Sequence, residues 1–139
     1  MKVLIERVYR GEDPRLFIDR LMRDPEIISP KYREVRRYND KHLMILDASI
    51  TIGSNEIFRG DIEISKEIYQ PLKIVFRDIR GRVFEFRLSF ARVSREEFIV
   101  RLTCSCEDYT LREYADSLLK YLEEQFILYF PEIFKRVES

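Results

Sequence analysis

Tryptophan is absent, histidine occurs once, cysteine twice and glycine only four times in these 139 residues. Each scarcity removes a class of explanation. Cys104 and Cys106 are too few for the disulfide framework of a small secreted domain. With the single, distant His42 they also fall short of the three or four ligands of a structural zinc site. At i and i+2 on a strand the two thiols share a face, where a bridge between them would be strained, so they read as small apolar groups. Gly11, Gly53, Gly60 and Gly81 stand alone, so neither a phosphate loop nor a dinucleotide fingerprint is present. The formal net charge is zero, which gives no basic excess for nucleic acid or an anionic membrane surface. No run approaches the roughly 20 apolar residues that span a bilayer. Met1-Lys2-Val3-Leu4-Ile5-Glu6-Arg7 reaches charge too early for a signal peptide. The expected location is cytoplasmic, with no stable membrane insertion, no nucleic-acid partner, no metal and no cofactor.

What is present is a chain of 45% hydrophobic and 36% charged residues, enough to fold as one domain over 1–139. Its charges are interspersed, arginine outnumbers lysine, and asparagine and glutamine are scarce. That balance fits a thermophilic chain with a surface laced by ion pairs.

The last third carries the strongest pattern. Phe84, Phe86, Leu88 and Phe90 fall on one side of Val83–Val93, and Phe98, Val100, Leu102 and Cys104 on one side of 98–106. Asp108–Phe130 then reads as one long helix with Leu111, Tyr114, Ala115, Leu118, Leu119, Leu122, Phe126, Tyr129 and Phe130 along a stripe. Upstream, Lys2–Tyr9 is a first strand. Asp13 caps a short helix with Pro14 at its first position, marked by Leu16, Phe17, Leu21 and Met22. Glu26-Ile27-Ile28 forms a second short helix, ended before Pro30. Strands follow at Tyr32–Tyr38, His42–Ile52, Glu56–Ile64 and Leu72–Ile79, joined by turns such as Asn39-Asp40-Lys41 and by the longer connection Ser65–Pro71. The order is one strand, two short helices, six consecutive strands and one long helix, an α+β antiparallel meander.

This order resembles the START-like, or SRPBCC, superfamily with its birch-allergen-like helix-grip fold, in particular a small stand-alone archaeal-type member. The resemblance covers essentially the whole chain but rests on element order, length and pattern, since the superfamily has no short diagnostic motif. It implies a seven-stranded curved antiparallel sheet around the C-terminal helix, with a space between them for an apolar ligand. One departure is clear: Asn39-Asp40-Lys41 stands where plant members carry a glycine-rich loop.

The expected ligand-binding residues are those of the inner sheet face and the facing stripe: Phe58, Ile62, Ile74, Phe76, Phe84, Phe86, Leu88, Phe90, Phe98, Val100, Leu102, Cys104, Leu111, Tyr114, Leu118, Leu122 and Phe126. Such a set either lines a cavity or packs into a filled core, and periodicity alone does not separate the two. The leading expectation is a carrier of a fatty acid or isoprenoid-like lipid, with Arg7, Tyr9, Arg92 and Tyr114 as head-group candidates. The alternatives are an enzyme of the cyclase or hydratase type using the same pocket, and a protein-interaction module with a filled core. No catalytic residue stands out. His42 reads as an exposed turn residue, and Asp47, Asp61 and Glu63 as the wetted sheet face. The cluster Arg33, Arg36 and Arg37, flanked by Tyr32 and Tyr38, reads as a solvated strand. The tail residues Ile133 and Phe134 either fold back over the sheet or form a homodimer contact, so the chain is a monomer or a homodimer.

Overall fold

A computed structural model describes residues 2–29, 32–38, 42–67 and 72–137. Alternating sequence segments become strands β1 (Lys2–Gly11), β2 (Tyr32–Tyr38), β3 (Leu43–Ile52), β4 (Asn55–Ser65), β5 (Leu72–Asp78), β6 (Val83–Arg92) and β7 (Phe98–Cys106). The 39–41 turn and residues 68–71 of the connection lie outside the described residues. The strands lie in the order β2-β3-β4-β5-β6-β7-β1 with antiparallel pairing throughout, so the first strand closes onto the last of the meander. The tail adds a two-residue strand β8 (Lys135–Arg136) against Tyr9 and Arg10. Register shifts at Val3/Ile5, Tyr32/Glu34 and Ile50/Thr51 place extra residues in one strand of a pair. Such bulges bend a sheet and increase its local twist.

Parity decides which side chains go inward. In β3 Met44, Leu46, Ala48 and Ile50 are buried while their neighbours are not, and β4, β6 and β7 repeat the pattern. Asp47, Asp61 and Glu63 are half-buried on the opposite face. There Asp47 pairs with Arg33 at 3.0 Å and Glu63 with Arg77 at 3.4 Å. His42 is exposed.

The helices differ from the sequence expectation at their ends. Helix α1 spans Arg15–Arg23, with Pro14 in the capping position. Asp13 acts one residue earlier, accepting the Arg15 backbone N–H at 3.0 Å. The second short helix is a 3-10 turn at Pro25–Ile27. The expected helix over Asp108–Phe130 begins instead as a 3-10 turn, Tyr109–Leu111, and becomes α-helical only at α2, Arg112–Tyr129. Asp108 explains the tight start: its carboxylate accepts the Thr110 backbone N–H at 2.9 Å and the Thr110 hydroxyl at 2.7 Å, which turns the chain within three residues.

The link from β1 to β2 must cross from one part of the sheet to its far edge. Helix α1 and the Pro25–Ile27 turn make that crossing and bury Phe17, Ile18, Leu21, Met22, Ile27 and Ile28. Phe17 meets Phe126, Phe130 and Phe134 edge-on at 4.9, 5.0 and 4.8 Å. Each such contact contributes about 0.5–1.5 kcal/mol beyond burial. Ile133 and Phe134 are thus core residues, 5% and 2% exposed, and this part of the tail folds back over the core. Arg37 reaches the free carbonyls of Met22 and Arg23 at the end of α1, where a cation meets the negative end of the helix dipole. Its cluster therefore serves local structure: Arg33 and Arg37 are engaged on the edge strand β2.

Candidate functional site

The inner face of the sheet and α2 bring most of the expected residues together. Phe58, Ile62, Ile74, Phe76, Phe84, Phe86, Leu88, Phe98, Val100, Leu102, Cys104, Leu118, Leu122 and Phe126 are all buried in one core cluster, except that Phe98 is buried beside it. Phe90, Leu111 and Tyr114 are only partly buried and sit at its margin. Leu111 belongs to the 3-10 turn rather than to α2. Phe90 meets Phe98 at 6.0 Å, with the Arg92 guanidinium 5.1 Å from the Phe98 ring.

Between sheet and helix the rings interlock. Phe58, Phe76 and Phe86 form an edge-on row with centroids 5.1 and 5.3 Å apart. The backbone of α2 comes nearest to β1, β7 and the Pro25–Ile27 turn. The row of rings on β4, β5 and β6 is buried in the same core cluster as Leu118, Leu122 and Phe126 of α2. The inner-face side chains and the stripe of α2 keep almost no accessible surface, so among the described residues a guest must turn side chains aside to enter.

Three clefts among the described residues lie at the surface. One of about 600 Å³ is lined by Ile5, Arg7, Arg112, Glu113, Asp116 and Ser117. Another, of about 400 Å³, is lined by Arg10, Gly11, Glu97, Lys135 and Val137. The third holds only about 10 Å³, room for roughly one water, beside Glu56, Phe58 and Asp78.

Four polar features flank the apolar interior. Tyr121 donates its hydroxyl to the Ile28 carbonyl at 2.7 Å, and Gln125 donates to the Ile27 carbonyl at 3.2 Å. These two bonds fasten the Pro25–Ile27 turn to α2. Burial is the main cause that pushes the Tyr121 hydroxyl up to about 12. Tyr9, fully buried on β1, donates to Glu123 at 2.6 Å, while Arg7 pairs with Asp116 at 3.0 Å. The expected head-group candidates Arg7 and Tyr9 are thus engaged with α2. At the β5–β6 hairpin, Asp78 is buried and accepts from Arg82 at 2.9 Å and from Arg80 N–H at 2.7 Å. Tyr114 completes this group, its hydroxyl 3.4 Å from Asp78. Burial raises the Tyr114 pKa, with the Arg82 charge opposing it.

Asp78 and Arg82 were missed among the candidate residues, although the signal was present. Positions 72, 74, 76 and 78 share one face of β5, so an acid at 78 points inward with its apolar neighbours.

Cys104 and Cys106 are buried and unbridged. Burial, with a smaller contribution from Cys106, pushes the Cys104 thiol up from 9.0 to about 12. A thiol held neutral is a poor nucleophile. At pH 8 Cys104 is expected to resist a thiol reagent in the folded protein and to react on denaturation, read by mass spectrometry of the labelled peptide. The same shift gives a sign for pH. A raised folded pKa contributes stability that is complete below pH 9 and lost as pH climbs toward 12. Urea unfolding at successive pH values above 9 should show that decline, and Cys104→Ala should reduce it most between pH 9 and 10, below the range where the raised Tyr114 and Tyr121 hydroxyls add their own loss.

Among the described residues no group of three or more potential metal ligands occurs. No described helix is long and apolar enough to cross a membrane. No protein-family model and no curated sequence matches the chain. Its fold does match solved structures. A START superfamily protein from Mycobacterium smegmatis superposes with a TM-score of 0.52 at 13% identity, covering 88% of this chain and 92% of that one. A conserved protein from Geobacillus kaustophilus gives 0.55 at 14% identity, with 86% and 90% covered. The Zhui aromatase/cyclase from Streptomyces sp. R1128 gives 0.51 at 7% identity, with 89% and 88% covered. The chain has a START-like helix-grip fold.

Proposed function

We propose that this START-like chain binds a hydrophobic small molecule, a fatty acid or related lipid, between the inner sheet face and α2, and carries it by shielding it from water. The observation that supports this reading is the row Phe58, Phe76 and Phe86, fully buried rings that meet edge-on across three strands in the core the sheet shares with α2. Side chains change rotamer without breaking any strand hydrogen bond, so a guest can replace ring-to-ring contacts with its own. Each methylene taken from water is worth about 0.8 kcal/mol. A chain of roughly fourteen carbons gains on the order of 10 kcal/mol gross, and ordering it removes much of that. Micromolar affinity follows.

The way in lies under the Pro25–Ile27 turn. Two side-chain bonds, from Tyr121 and Gln125, hold that turn on α2. Tyr121→Phe removes one of them at a cost of about 1 kcal/mol, so open forms become about fivefold more populated. Uptake of an apolar fluorophore, followed by stopped-flow fluorescence, is expected to accelerate by that factor. Native mass spectrometry of the purified protein, with solvent extraction of bound material, tests the reading itself. A protein that carries nothing and takes up neither fatty acids nor isoprenoids would refute it.

A further inference from the structure

The two edges of the sheet are finished differently. At one, β8 pairs with Tyr9 and Arg10, and Val137 N–H donates to the Val8 carbonyl at 3.0 Å, so the tail covers part of the free side of β1. At the other, β2 pairs with β3 along one side, and no described strand pairs with its second side. Alternate residues of Tyr32–Tyr38 therefore turn their backbone N–H and C=O away from β3, and every residue of the strand except Val35 is exposed. An open edge of this kind accepts another strand unless its side chains repel one. Those of β2 do not repel a copy of themselves. Arg33 is paired with Asp47, and Arg37 is turned to the Met22 and Arg23 carbonyls. Glu34 and Arg36 are exposed and meet no charged partner among the described residues. They share the outer face, since Glu34 stands opposite Asp47 and Arg36 opposite Ile45, whereas Val35 stands opposite the inward Leu46.

We propose that β2 is the contact between two copies of this chain, joining their sheets edge to edge into one antiparallel sheet. A two-fold axis through Val35 sets each Glu34 opposite Arg36 of the second copy and Val35 opposite Val35. Opposed residues of an antiparallel pair share a face, so both Glu–Arg pairs fall on the outer face and the two inner faces stay on one side. The charges also fix the register. An axis through Glu34 would set two carboxylates in direct opposition, and one through Arg36 would set two guanidiniums there. The contact is independent of what the interior binds. A single short strand from each copy buries little area, so the dimer is weak and reversible, with a dissociation constant in the micromolar range.

Sedimentation velocity over protein concentrations from about 5 μM to about 1 mM tests the contact, with the native chain expected to pass from monomer to dimer as concentration rises. Glu34→Arg and Arg36→Glu each set like charges against one another at both pairs, and each is expected to weaken the dimer about tenfold. The double variant Glu34→Arg/Arg36→Glu puts opposite charges back in register and is expected to recover the native affinity. A native chain that stays monomeric throughout overturns the proposal. So does a dimer that the single substitutions leave unchanged, or one that the double variant fails to recover. If a variant does not fold, hydrogen exchange of the native chain decides. The amides of residues 32–38 are expected to exchange more slowly at the highest concentration than at the lowest. Equal rates refute the contact, and rates slow at both concentrations would show that another segment of the same copy already covers the edge.

Discussion

Phe126→Ala is expected to lower the unfolding free energy by about 3–5 kcal/mol, the loss typical of truncating a buried phenylalanine. The side chain is fully buried on α2 and touches Phe17 at 4.9 Å and Phe134 at 5.2 Å. It therefore joins three segments: the long helix, the short helix over the sheet end and the folded-back tail. Removing the ring leaves a cavity that these segments fill only by moving together. For a domain of this size, the corresponding fall in melting temperature is on the order of 10 °C. Urea unfolding with an unchanged denaturant slope measures it. A loss under about 1 kcal/mol would show that the three segments are not coupled through this ring.

Gly60→Ala is expected to cost on the order of 3 kcal/mol or more, or to prevent folding. Gly60 lies in the middle of β4 with φ +157, a conformation L side chains rarely adopt. An added Cβ would stand 2.0 Å from the Arg77 carbonyl oxygen on β5. That backbone is held by the pairs Asp61↔Arg77 and Gly60↔Asp78. The bond from Ile79 N–H to the Arg59 carbonyl at 2.9 Å holds it further, so the clash cannot be relieved by a side chain turning away. Gly53→Ala supplies the control. Its φ is +63 but nothing lies within 4 Å, so it carries only the left-handed strain, about 1 kcal/mol. Equal losses at the two sites would show that backbone conformation alone, and not the close strand approach, sets the cost at Gly60.

Both substitutions bear on how the interior is held together. Phe126 fixes the end of the helix to α1, and Gly60 lets β4 and β5 come close beside the buried Asp78. Phe58 and Phe76 of the ring row lie on the two strands of that close approach, and Phe86 on the next strand. The proposed binding therefore depends on a rigid sheet carrying movable rings. Rotamer change within the row breaks none of the pairing between β4, β5 and β6 beneath it.

The period of the apolar residues determined the strands, the helix and their order, because the two-residue and near-four-residue repeats follow from backbone geometry alone. Alternation alone places Phe84, Phe86 and Leu88 on the inner face, and the helical repeat places Leu118, Leu122 and Phe126 on the facing stripe. Helix ends were less legible. Whether Asp108 starts an α-helix or a 3-10 turn depends on two bonds to Thr110 that spacing does not encode. Only the tertiary structure decided three further points: that Phe58, Phe76 and Phe86 meet edge-on across three strands, that Tyr121 latches a carbonyl 93 residues away, and that Asp78 and Arg82 meet Tyr114 on α2. Each joins groups remote in the chain, and the distance between such groups is set by sheet curvature and by which helix rests on which strand. A local pattern states which way a side chain faces; what it meets there is a property of the closed fold.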